Sequence, residues 1–130
     1  MERWLGRWSD VAYTLLRVMA GVMFACHGAQ KLFGVLGGHA ELSNPKFLAA
    51  GIIEFFGGCL IAIGLQAAFA AFIASGQMAV AYFMAHAPHG FWPIQNHGEL
   101  AVVYCFVFLL IASRGSGALS VDAVLGKKTR

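Results

Sequence analysis

The apolar residues of this chain fall into four long runs that are separated by short polar segments. These runs cover about residues 11–36, 47–65, 67–85 and 97–114. About 20 apolar residues are the length that an α-helix needs to cross the hydrocarbon core of a bilayer. The pattern therefore predicts a single domain over residues 1–130, an all-α polytopic membrane four-helix bundle whose residues 115–130 form a cytoplasmic tail.

The polar segments between the runs predict where the chain turns. Residues 37–46 carry paired glycines and an Asn-Pro pair, which mark a loop, and Gln66 alone separates the second run from the third, which predicts a tight hairpin. Residues 86–98 form another loop, with three histidines and two prolines. In the tail, Ser120 is placed to cap a short helical turn. On the third run small residues recur at every fourth position and predict a packing seam, namely Ala67, Ala71, Ser75 and Ala79.

The composition agrees with a membrane protein and excludes several other classes. Hydrophobic residues make up 59% of the chain and charged residues only 12%, whereas about a quarter of a soluble domain is charged. The nine basic residues are spread over both ends and the loops, so they form no patch for nucleic acid. The three cysteines lie in different apolar runs without a C-x-x-C pair, which argues against a disulfide framework. We find no signal-peptide cleavage site after the first run and expect that run to remain as a membrane anchor.

The distribution of lysine and arginine predicts the orientation. With four spans both termini lie on the same side of the membrane. That side would carry six basic residues: Arg3, Arg7, Arg114, Lys127, Lys128 and Arg130. The opposite loops offer only Lys46, with Lys31 near a helix end. The positive-inside rule therefore places both termini in the cytoplasm, the chain in the cell (inner or plasma) membrane, and the histidine loop outside.

Several polar residues interrupt the apolar runs and converge under this topology. The outer half of the bundle would hold His27, Gln30, Lys31, Glu54, His86, His97 and Glu99. Arg17 would lie alone in the inner half, near Gln66 or Asp122, with a role in structure, in orientation or as an inner gate. A charge at membrane depth costs several kcal/mol unless it is paired. We therefore expect Lys31 to pair with Glu54 or Glu99.

This polar cluster supports two interpretations. It either ties helices together, or it binds an amphipathic small molecule such as a quinol, whose headgroup needs hydrogen bonds and a route for protons. In the second case the catalytic residues would be Glu54 or Glu99 as proton acceptor and His27 as hydrogen-bond partner. The ligand-binding residues would be Lys31, Gln30, His86, His97 and Arg17. Aromatic walls would come from Phe24, Phe55, Phe56, Tyr82, Phe83 and Tyr104.

Other cofactors find no support in the sequence. His86, His89, His97 and Glu99 are ligand types within a short segment, but their spacing matches no established metal motif. The chain has no C-x-x-C-H haem attachment, P-loop or dinucleotide fingerprint. We therefore predict no metal or haem, and a quinone is the one cofactor that the cluster favours.

Four segments of the chain resemble the DoxX family of small bacterial and archaeal membrane proteins. They are F-A-C-H-G-A-Q-K-L-F-G, G-I-I-E-F-F-G-G, N-H-G-E-L-A-V-V-Y and R-G-S-G-A-L-S-V-D, in the order of the family, and the resemblance covers about Leu15 to Val124. It implies a four-helix membrane bundle. The matching positions are Arg17, His27, Gly28, Lys31, Glu54, Gly58, Glu99 and Asp122.

The resemblance also implies a range of functions. The family takes its name from a subunit of an archaeal terminal quinol oxidase, related proteins belong to thiosulfate:quinone oxidoreductases, and some bacterial members associate with membrane oxidoreductase and thiol-oxidation-defence complexes. The leading hypothesis is thus a redox-associated membrane subunit that binds quinol or a similar amphipath, with a quinone-linked oxidoreductase as the enzyme it would serve. The alternatives are a small-molecule carrier or efflux-type protein, and a non-catalytic accessory subunit of a larger oxidoreductase. The bilayer, other oxidoreductase subunits or further copies of the chain would be its partners.

Overall fold

The computed structural model describes residues 1–129 and contains only helices, turns and loops in that range. Helix α1 is Ser9–Phe33, and short helical turns at Glu2–Leu5 and Gly6–Trp8 lead into it without a break. Helices α2 and α3 are Pro45–Ile63 and Ala67–His89. Helix α4 is Glu99–Arg114, and Pro93–Asn96 and Val121–Val124 form short additional turns.

Three helical segments are long and apolar enough to cross a membrane: Glu2–Phe33, α2 and α3. The all-α membrane fold is thereby confirmed. Helix α4 has 16 residues and falls short of a full span by length, so the fourth span and the cytoplasmic termini stay predictions. The first helix also ends before residue 36, because Gly34 adopts a left-handed conformation (φ 66°) that stops it.

Consecutive helices pack side by side and alternate in direction, which gives the bundle two distinct ends. Residues 34–44 and 90–98 connect the helices at one end, here called the loop end. The N-terminus and residues 115–129 lie at the other, here called the tail end. The sides of the bundle expose many large apolar side chains, as expected of a surface that contacts lipid.

Glycines bring α1 and α2 into backbone contact. A Cβ atom on Gly58 would lie 2.5 Å from the nitrogen of Ala25 and 2.6 Å from the carbonyl oxygen of Gly21. A Cβ atom on Gly28 would likewise overlap the backbone of Phe55. This close approach is what small residues permit at helix interfaces in membranes, and it fixes the register of the polar groups on α1 and α2.

The small-residue seam predicted on the third run packs against α4. Ala67, Ala71 and Ser75 are buried, and the Ser75 hydroxyl donates a hydrogen bond of 2.7 Å to the carbonyl oxygen of Cys105. Phe24 and Phe108 pack in an edge-on pair at the centre of the bundle, with ring centroids 4.6 Å apart. The bundle is therefore tightly filled at mid-height.

The tail folds back on the bundle instead of extending from it. The guanidinium of Arg17, which is only 2% exposed, donates hydrogen bonds to the carbonyl oxygens of Ser116, Leu119 (3.0 Å) and Ala62 (3.4 Å). The Asp122 carboxylate accepts from the backbone N–H of Gln66 at 2.8 Å and from the Ser116 hydroxyl at 2.6 Å. Ser120 caps the turn Val121–Val124, as predicted.

Candidate functional site

A cavity of about 250 Å³ opens at the loop end of the bundle, among all four helices. We call it the histidine cavity. It is lined by Phe24, His27, Lys31, Glu54, Met78, Ala81, His86, His97, Leu100, Ala101 and Tyr104. Its wall therefore combines titratable groups with an apolar and aromatic surface, as is usual for small-molecule sites.

Glu54 is the one acidic residue among the lining residues of this cavity, and it is buried, with 2% of the residue exposed. Lys31 donates hydrogen bonds to both of its carboxylate oxygens, at 2.7 and 2.5 Å, and the amide of Gln77 donates another at 2.8 Å. The Lys31 ammonium also lies 5.7 Å from the ring centre of Phe47. Hence the carboxylate is paired and oriented before any ligand arrives, and the expected pairing of Lys31 resolves to Glu54.

Local distortions of two helices place Glu54 and His86 at the cavity. Residues Ile53–Gly57 in α2 and Tyr82–His86 in α3 form π-helical turns. A π-helical turn widens the helix and shifts the direction of the side chains that follow it, and such turns occur frequently at functional sites. Both distortions of the described chain lie in segments that line the histidine cavity.

The loop beside the cavity is organised around Asn96, which is 3% exposed. Its amide donates to the carbonyl oxygen of Gly90 at 2.9 Å and to the Tyr82 hydroxyl at 3.2 Å, while its Oδ1 accepts from the N–H of Gly98 at 2.9 Å. The Nδ1 atom of His86 lies 3.1 Å from the Asn96 carbonyl oxygen. This bond holds the imidazole of His86 and leaves its Nε2 free to face a ligand.

His27 and Tyr104 form a polar pair on another wall of the cavity. Their rings are perpendicular, with centroids 6.3 Å apart, and Tyr104 packs in turn against Phe24 and Phe108. Both residues line the cavity, and neither the imidazole of His27 nor the hydroxyl of Tyr104 forms a hydrogen bond with another described residue. Both groups are therefore available to a ligand headgroup.

The structure brings five of the eight sequence-predicted site residues to the cavity and leaves three outside it. The lining includes His27, Lys31, Glu54, His86 and His97. Gln30 instead donates to the carbonyl oxygen of Leu36 at 2.9 Å, Glu99 is exposed at the start of α4, and Arg17 is held at the tail end. Of the predicted aromatic wall, only Phe24 and Tyr104 line the cavity.

Sequence reasoning missed two residues that build this site, Gln77 and Asn96. Gln77 lies one position before the buried Met78, within an almost wholly apolar helix, and an amide in such a run is a signal that could have pointed to a buried partner. Asn96 lies in a loop whose three histidines were the more obvious candidates for a functional role. In the part of the chain that the structure describes, no group of three or more histidine, cysteine, aspartate or glutamate side chains could hold a metal ion.

The cavity wall offers both hydrogen-bond acceptors and hydrogen-bond donors. A buried carboxylate next to an ammonium group can accept a hydrogen bond from a hydroxyl, while imidazole and phenol groups can donate to a carbonyl oxygen. The apolar residues of the lining suit a ring.

Comparisons with known proteins give the family. The DoxX family model matches residues 12–87 of the chain. A relative from Haemophilus influenzae, described as an uncharacterized protein, is 41% identical over 120 residues, which cover 87% of this chain and 90% of the relative. No solved structure matches the chain. The helical fold, the motifs around His27 and Glu54 and this match agree, and the chain belongs to the DoxX family of membrane proteins.

Proposed function

We propose that the chain is a redox-associated membrane subunit that binds a quinol, or an amphipath of similar shape, in the histidine cavity. The observation that carries this proposal is the oriented carboxylate of Glu54, which faces a cavity that also holds the unpartnered groups of His27 and Tyr104. A quinol headgroup presents two hydroxyls on a flat ring, so it needs acceptors and donors on a partly apolar wall.

Each of the six polar lining residues has a role in this proposal. Glu54 accepts a proton from a ligand hydroxyl, and Lys31 compensates its charge. His27 is the hydrogen-bond partner of the second ligand hydroxyl and accepts its proton at the ring nitrogen that carries no hydrogen, while the Tyr104 hydroxyl beside it donates a hydrogen bond to the same ligand oxygen. His86 and His97 lie towards the loop and provide a route for protons to water. Oxidation of a quinol also releases two electrons, which the proposal assigns to the redox cofactor of a partner subunit.

The proposal includes a topology. Helix α4 serves as the fourth span, both termini face the cytoplasm, and the cavity lies in the outer half of the cell membrane. The basic residues at the tail end support this orientation through the positive-inside rule.

Ligand binding by single variants tests the site. The purified protein is titrated with a short-chain benzoquinone analogue by calorimetry. Glu54→Gln and His27→Ala are each expected to weaken binding about tenfold or more. The first variant removes a charged hydrogen-bond acceptor, and the second removes an imidazole that has no hydrogen-bond partner among the described residues. Glu41→Gln and His39→Ala are matched controls, since both residues are exposed in the loop after α1. Equal affinity of Glu54→Gln, His27→Ala and wild type would show that the site is wrong.

A carrier for aromatic or thiol compounds is the alternative from another class. It would require a path from the histidine cavity to the tail end. Phe24 and Phe108 fill the bundle between the two ends, and Arg17 is held by three carbonyl groups. This packing favours the binding role, and solute flux into proteoliposomes that carry the protein would reverse that preference.

A non-catalytic accessory subunit would share the fold without needing the cavity. Under this alternative, Glu54→Gln would leave assembly with a larger oxidoreductase intact and would also leave quinol turnover unchanged. Co-purification without crosslinker, compared for wild type and Glu54→Gln, separates assembly from ligand binding.

A further inference from the structure

A second groove, of about 370 Å³, lies at the tail end of the bundle, far from the histidine cavity. It forms where the start of α3, the end of α4 and the folded-back tail meet. We call it the basic groove. The lining residues that matter here are Phe69, Arg114, Ser116, Asp122, Lys127 and Lys128.

The charged groups of the basic groove are predominantly positive. Its lining holds three cations, Arg114, Lys127 and Lys128, and one carboxylate, that of Asp122. This carboxylate is already engaged, because it accepts from Ser116 and Gln66 and lies 3.1 Å from the Lys127 ammonium. The Lys127 ammonium compensates its negative charge, so Arg114 and Lys128 leave the groove with a net positive charge.

The three cations remain able to bind an anion. The Lys127 side chain is 46% exposed in spite of its ion pair. Lys128 is exposed and forms no ion pair with another described residue. Arg114 contacts Asp10 through one nitrogen, at 3.0 Å, and its guanidinium lies over the ring of Tyr13, 4.1 Å from the centroid; the pair with Asp10 uses one of its nitrogens, and the guanidinium carries five N–H groups in all.

One side of the groove is apolar and exposed. Phe69, in the first turn of α3, lines it and is 69% exposed. Phe72 continues the exposed apolar surface one turn further along α3. The groove thus has a basic rim at the end of the helices and an exposed aromatic surface along them. A phospholipid has a charged headgroup next to apolar acyl chains, which is the same arrangement.

We propose that the basic groove binds the headgroup of an anionic phospholipid from the surrounding bilayer. Lys128, Lys127 and Arg114 contact the phosphate, and Phe69 packs against the upper part of an acyl chain. Basic pockets at this level of membrane proteins are suited to anionic headgroups, and each lysine or arginine contributes about fivefold in affinity, equivalent to about 1 kcal/mol. This site is independent of the histidine cavity and of the function proposed for it.

Native mass spectrometry of the full chain tests the site. The protein is released from detergent in the presence of phosphatidylglycerol or phosphatidylcholine, and the retained lipid is counted. Wild type is expected to retain phosphatidylglycerol preferentially. Lys128→Gln should weaken retention about fivefold and Lys127→Gln/Lys128→Gln about 25-fold, whereas Lys128→Arg should keep it.

Two controls decide the interpretation. Arg3→Gln and Arg7→Gln remove the same charge near the same end of the bundle without touching the groove, and they should retain phosphatidylglycerol like wild type. Equal retention of both lipids, or an equal loss in the control variants, would overturn the proposal, since binding would then reflect overall charge or none at all. Displacement of the lipid by inorganic phosphate at matched ionic strength would also overturn it, because the groove would then be a site for free phosphate.

Discussion

Replacing Lys31 by methionine is expected to destabilise the protein by about 3 kcal/mol, because it leaves a buried carboxylate without its cation. The Lys31 ammonium lies 2.7 and 2.5 Å from the two oxygens of Glu54, whose residue is 2% exposed, whereas the lysine side chain is 24% exposed. At an effective dielectric constant of about 20, two charges at this distance attract by about 6 kcal/mol. Desolvation of the two groups offsets several kcal/mol of that attraction.

The decisive comparison is the double variant Lys31→Met/Glu54→Gln. Because the second substitution removes the stranded charge, the double variant should be more stable than Lys31→Met by about 2 kcal/mol. The free energy of unfolding is measured by denaturation with sodium dodecyl sulfate in mixed micelles. Lys46→Met, at an exposed residue in the first turn of α2, and Glu41→Gln, at an exposed loop residue, provide a control pair whose effects should add.

The opposite result would be a lower free energy of unfolding for Lys31→Met/Glu54→Gln than for Lys31→Met alone. That result would mean that the carboxylate is stabilised without Lys31, and the ion pair would then not explain how Glu54 is held in the cavity wall.

Two further predictions concern the bundle and its tail. In the same unfolding assay, Gly58→Ala should destabilise the protein by about 1–3 kcal/mol, because the added Cβ atom would overlap with the backbone of α1. Gly57→Ala is the control and should be neutral or slightly stabilising, because a Cβ atom there would meet nothing within 4 Å. The hydrogen bond from the Ser116 hydroxyl holds the pKa of Asp122 below its usual range, with further support from Lys127 and the Gln66 N–H. A lowered pKa stabilises the folded state above the unfolded-state value of about 3.9 and loses this effect as the pH falls through the folded-state value. Wild type should therefore lose stability below about pH 4 more steeply than Asp122→Asn does, and equal slopes would contradict this assignment.

Much of the fold follows from features that the sequence displays directly. Apolar runs of membrane length predicted the helices, and small residues at every fourth position predicted the face of α3 that packs on α4. The sequence predicts that Lys31 pairs with Glu54 or with Glu99. Which of the two it contacts depends on the register of the helices. Gly28 and Gly58 fix that register by backbone contact, a geometric result that periodicity alone does not contain.

The parts that sequence could not predict depend on backbone groups and local distortion. The partners of Arg17 are carbonyl oxygens of Ala62, Ser116 and Leu119, and every residue carries such an acceptor, so nothing in the sequence marks them. The π-helical turns at Ile53–Gly57 and Tyr82–His86 lie in runs that are apolar on most sides. A shift of helical phase there leaves no trace in the hydrophobic pattern.

The most direct test of the proposed function is an experimental structure of the protein with a bound benzoquinol analogue. We predict a flat ring in the histidine cavity, with one ligand oxygen within hydrogen-bonding distance of Glu54 and the other near His27 and Tyr104. A ligand bound only at another site, with the histidine cavity holding ordered water alone, would contradict it.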